Sequence, residues 1–79
     1  MQDSAKFVDT LGQTAGNVLE ALKAAGGDAT SWDLKLKLHL SSSALYLALG
    51  WLAAERKIAL YPKELNFRVV LSEKADGGV

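Results

Sequence analysis

The chain has to change from helix to strand within the run Ala48-Leu49-Gly50-Trp51-Leu52-Ala53-Ala54-Glu55-Arg56-Lys57-Ile58. Its apolar first half reads as helix, its Glu-Arg-Lys corner as a turn, and the residues from Lys57 onward as a strand. Ser41-Ser42-Ser43 just upstream offers hydroxyl caps for the start of this helix, because a serine oxygen can accept from amides left free in a first turn. The spacing predicts a helix over about 42–56. Downstream, 57–61 reads as a strand, 62–66 as a turn and 67–71 as the returning strand.

Two further helices precede this unit. Val8, Leu11, Ala15, Val18, Leu19, Leu22 and Ala25 recur at three- and four-residue steps, the stripe of an amphipathic helix. Gly26-Gly27 ends it, and Asp28-Ala29 is a short link with room for a minimal first strand. Gly12 and Gly16 inside the stripe weaken the helix, or else admit another backbone to close approach. Thr30-Ser31-Trp32-Asp33 fits an N-terminus with Thr30 as cap. Leu34, Leu36, Leu38 and Leu40 then alternate with Lys35, Lys37 and His39, which is strand-like. The cap, the i, i+4 pair Leu34 and Leu38, and the helical preference of Leu and Lys decide for helix over 31–38, with Leu36 facing outward.

The Ala48–Ile58 run matches an A-L-G-W-L-x-x-E-x-K-I block, and Gly12-Gln13-Thr14-Ala15-Gly16 matches a G-x-x-A-G segment. Together they resemble a small bacterial and archaeal winged helix-turn-helix family of uncharacterised function, over about Gly12 to Phe67. The resemblance implies an α+β fold of three helices and a C-terminal β-hairpin wing. The expected domain is 1–72, and 73–79 is expected to be a disordered tail. The expected core is Val8, Leu11, Ala15, Val18, Leu22, Leu34, Leu38, Leu40, Leu45, Leu49, Leu52, Ile58, Leu60, Phe67 and Val69.

Charge tempers what such a fold suggests about partners. The 79 residues hold nine basic and nine acidic side chains, a formal net charge of zero, whereas a phosphate-binding module normally carries a basic excess. Lys35, Lys37, Arg56 and Lys57 outnumber Asp33 and Glu55 between Ser31 and Lys57, while the preceding segment is acidic by a similar margin. Cysteine is absent, which removes thiolate chemistry and fits a cytoplasmic setting. Neither a signal peptide nor a membrane span is read.

Catalysis finds no constellation. His39 is the only histidine and reads as a solvated turn residue, so no metal site, cofactor site or His-based triad is expected, and the chain reads as a non-enzyme. Winged-helix geometry would bring the third helix to double-stranded DNA N-terminus first. The candidate contacts are Ser42, Ser43, Tyr46, Arg56, Lys57, Lys63 and Arg68, directed mainly at phosphates, so that binding would be weak and salt-sensitive. Such a protein would resemble a transcription regulator and would be expected to act as a homodimer. The competing reading is a protein-interaction or homodimerisation module without DNA. The third helix is apolar nearly all round, with Leu45, Ala48, Leu49 and Leu52 inward and Leu47, Trp51 and Ala54 outward; with Leu36 these outward residues are the candidate interface. Periodicity leaves Trp32 and Trp51 open between core and interface, and the three serines open between capping and phosphate contact.

Overall fold

The computed structural model describes residues 4–73. Three helices, α1 (Ser4–Ala24), α2 (Ser31–Leu38) and α3 (Ser42–Ala54), combine with strands β1 (Asp28–Thr30), β2 (Ile58–Lys63) and β3 (Asn66–Leu71). The strands form one antiparallel sheet in the order β1-β3-β2. This is the expected three-helix, winged architecture.

Local chemistry sets the helix boundaries. The Thr30 hydroxyl accepts from the Asp33 amide at 3.1 Å and opens α2; the Ser41 hydroxyl accepts from the Ala44 amide at 3.1 Å and opens α3. Each cap of this kind contributes about 1 kcal/mol. All three helices end in the same hydrogen-bond pattern. Gly27 N donates to Leu22 O, Leu40 N to Lys35 O and Lys57 N to Leu52 O. The residue before each of these donors has a left-handed backbone: Gly26 at φ 87°, His39 at 54° and Arg56 at 61°. This double-bonded stop satisfies carbonyls that the helix leaves open. It also ends α3 at Ala54, two residues before the expected Arg56, because Arg56 itself supplies the left-handed turn.

The hairpin is tighter than the expected five-residue turn. Lys63 pairs with Asn66, leaving only Glu64-Leu65 in the turn, and Glu64 has φ 53°. Positive φ in a two-residue turn matches the twist of the strands it joins. Pro62 therefore lies within β2, opposite Phe67. A proline is tolerated there because β2 is an edge strand.

The core gathers Ala15, Val18 and Leu22 of α1, Leu34 of α2, Leu45, Ala48, Leu49 and Leu52 of α3, Ile58 and Val69. Leu11, Leu38, Leu40 and Leu60 are half-buried at its margin. Val8 was expected in the core and is 44% exposed instead. Every residue from Ala5 to Thr10 is exposed, so the first turns of α1 lack a close-packed partner. Phe67 is also outside the core, half-buried and edge-on to Tyr46. Ala21 and Val70 are buried without having been expected there. Of the expected tail, 74–79 lies outside the described residues, and Glu73 takes helical backbone with Ser72.

Candidate interaction surfaces around the third helix

Helix α3 carries no charged side chain and no Asn or Gln from Ser42 to Ala54. Its buried side, Leu45, Ala48, Leu49 and Leu52, faces the core. Ser42, Ser43, Tyr46, Leu47, Gly50 and Ala54 are exposed. The N-terminal candidates divide between two hollows.

The first hollow, about 200 Å³, lies between α1 and the start of α3. Phe7, Leu11 and Leu47 line it with Ser43, and none of its lining residues is charged. Phe7 is 54% and Leu47 48% exposed, so the apolar stripe of α1 continues beyond its own partners. Trp51 is half-buried and turns toward α1. A Cβ on Gly12 would meet its ring atoms Cζ2 and Cη2 at 3.7 and 3.8 Å. Gly12 thus accommodates an indole rather than another backbone, and nothing lies within 4 Å of the corresponding position at Gly16.

The second hollow is a cleft of about 270 Å³ between the start of α2, the start of α3 and the hairpin turn. Trp32, Tyr46 and Leu65 form its apolar walls; Ser42 and Lys35 lie alongside, with Ser31, Leu45 and Asn66 also lining it. The buried Ser31 hydroxyl fastens α2 to the hairpin. It donates to Asn66 Oδ1 at 3.2 Å and accepts from the Phe67 amide at 3.0 Å. The Tyr46 ring meets Phe67 edge-on, with centroids 6.0 Å apart. Trp32 is 53% exposed, and the Lys35 ammonium sits 5.5 Å from its ring centroid, a cation–π contact.

The cationic candidates do not converge. Arg56 and Lys57 lie past the C-terminal end of α3, around a separate hollow with Lys23, Leu71 and Glu73. Lys57 is 3.5 Å from Glu55. Arg68 Nε donates to both carboxylate oxygens of Asp28, at 3.1 and 3.2 Å, and a second guanidinium nitrogen joins the pair. Those hydrogen bonds, and then the charge of Asp28, raise the Arg68 pKa above its ordinary value. Only Lys63 remains beside the turn, at the opposite end of β2 from Lys57. Six residues of strand place the two about 20 Å apart. Leu36 is exposed on α2, as expected, and His39 is the exposed left-handed stop of that helix.

Sequence reading did not select Ser31, Trp32, Lys35, Leu65 or Asn66 as site residues. The signals available were an aromatic residue beside a helix cap and an apolar one in a tight turn, and neither reveals that the hairpin folds back against α2. Among the described residues there is no group of three His, Asp or Glu side chains able to hold a metal ion, and no helix long and apolar enough to cross a membrane.

A helix-turn-helix followed by an antiparallel wing defines a winged-helix module. Residues 1–71 match the family described as winged helix-turn-helix domain (DUF2582), and the chain belongs to that family. It matches no curated protein and no solved structure.

Proposed function

We propose that this winged helix is a non-catalytic interaction module that pairs with a second copy of itself through the face shared by α1 and α3. The observation that carries this reading is the composition of α3, which presents Leu47 beside Phe7 and Leu11 around an uncharged hollow. A helix apolar on more than its core side is normally covered by another element, and apolar patches of this kind mark interfaces. Homodimers bury such patches by two-fold pairing of like surfaces.

A second reading, weak DNA binding in the manner of a transcription regulator, is favoured by the fold and by the start of α3, where Ser42 lies in a cleft that also holds Lys35. The first amides of a helix attract phosphate. Contacts there would be to the backbone of the duplex, since α3 lacks the Arg, Lys, Asn and Gln side chains that read base edges in pairs of bonds.

The test records mass in solution together with amide chemical shifts, with and without mixed-sequence duplex DNA at low salt. A dimer mass with Phe7, Leu47 and Trp51 protected, and no shifts on adding DNA, is the expected result. A monomer whose Ser42, Ser43, Tyr46 and Lys63 amides shift with DNA and recover as salt rises would replace the interaction reading with the DNA reading.

A further inference from the structure

We infer that the cleft between α2, α3 and the hairpin turn receives a segment of a partner protein that presents a bulky apolar side chain next to a carboxylate. The inference rests on the interaction reading above, in that its occupant is a protein. It concerns a different surface from the self-pairing face.

Three features of the cleft converge on that chemistry. Its walls are apolar and unfilled: Trp32 and Tyr46 are about half exposed, and Leu65 is 95% exposed. A projecting leucine on a two-residue turn, facing two aromatic rings, leaves apolar area that an inserted side chain would remove from water. Aromatic side chains are also the residue type enriched where proteins meet.

The charge is one-sided. Lys35 is the only charged residue lining the cleft. Among the described residues it forms no ion pair; its ammonium is held over the Trp32 ring alone. Asp33, the nearest acidic residue in sequence, gives only its backbone amide to the Thr30 cap and does not line the cleft. The neighbouring Ser42 begins α3, whose positive dipole end adds to the same field. An incoming carboxylate therefore meets an unpaired cation, while an incoming ammonium meets repulsion.

The cleft is also held open before any partner arrives. Ser31 locks the hairpin to α2 through two hydrogen bonds, and Phe67 braces the Tyr46 ring. The cleft itself then needs little ordering on binding, which spares the protein's share of one cost of association.

The probe is the end-capped peptide Gly-Phe-Asp-Gly, titrated into the full chain and followed by amide shifts, with Gly-Phe-Lys-Gly and Gly-Ala-Asp-Gly as matched controls. Saturable shifts are expected on Trp32, Lys35, Ser42, Tyr46, Leu65 and Asn66, with each control binding about tenfold more weakly, because each lacks one of the two contacts. Lys35→Gln, an exchange at a partly exposed position, should erase the preference for Asp over Lys while the spectrum keeps its native dispersion. Leu65→Ser should weaken all three peptides. No saturable shift at millimolar peptide, equal response to the Lys peptide, or shifts confined to Phe7 and Leu47 would each overturn the inference. A silent cleft on a dimer leaves the interaction reading intact; cleft shifts on a monomer overturn self-pairing alone.

Discussion

Ser31 and Asn66 are joined by a hydrogen bond of 3.2 Å across 35 residues of sequence, and the same Ser31 hydroxyl accepts from the Phe67 amide. Ser31 is the one buried polar side chain among the described residues, 1% exposed. Its position at the first turn of α2 makes it the fastening between the helical unit and the wing.

Replacing Ser31 by Ala leaves the Phe67 amide without its acceptor in a part-buried setting. The expected loss of stability is about 1–3 kcal/mol. Urea denaturation measures it, and hydrogen exchange at Phe67 should accelerate more than at Val69. An unchanged midpoint together with unchanged Phe67 exchange would show that the fastening is not structural.

Arg56 holds a left-handed backbone with φ 61° and closes α3. Glycine adopts this conformation without the steric cost of a Cβ, so Arg56→Gly should stabilise the fold by about 1 kcal/mol. His39→Gly should do the same at the end of α2. Thermal melts of both variants check the sign, and a fall in Tm would contradict it.

Gly12 lies beneath the Trp51 ring with room for one methyl group. Gly12→Ala should stabilise α1 by about 0.5–1 kcal/mol, since helix propensity improves and the new contact is an ordinary one. Gly12→Leu should instead push the indole outward. Tryptophan fluorescence would then move to longer wavelength, and an unmoved spectrum would count against the packing described.

Leu47 is half exposed in the hollow beside Phe7. Leu47→Glu should convert a dimer to monomer without lowering monomer stability, because the side chain has no place in the core. Sedimentation over a concentration series reads this directly. Dimer mass retained by the variant would remove Leu47 from the pairing face.

Exposed ion pairs contribute little, and they are screened by salt. The Asp28–Arg68 pair nevertheless occupies Arg68 with two or more charge-assisted bonds. Arg68→Ala should consequently leave any low-salt DNA response unchanged, whereas Lys63→Ala should reduce it. The opposite order would return Arg68 to the set of phosphate contacts.

Much of the local chemistry is legible in the order of residues. The amphipathic stripe from Leu11 to Leu22, the caps at Thr30 and Ser41 and the glycine stop at Gly26 each act within a few residues, so they mark the helices without reference to the rest of the fold. The strand-like alternation of Leu34 to Leu40 yields to a cap that acts over three residues. The extent of the hairpin was less legible, because Pro62 blocks a central strand and is harmless only at an edge, and strand order is a property of the sheet.

Tertiary structure alone decided which surfaces exist. Periodicity counts Val8 with the core, yet burial requires a close-packed facing element, and Val8 is 44% exposed. Charge counting grouped Arg56, Lys57, Lys63 and Arg68, but the strand separates the first two from the third and Asp28 engages the fourth. Trp32, Lys35, Tyr46 and Leu65 share a cleft because Ser31 brings the hairpin back to α2. The sequence by itself determined the elements through interactions spanning one helical turn; their juxtaposition came from contacts between residues dozens of positions apart, which no local pattern encodes.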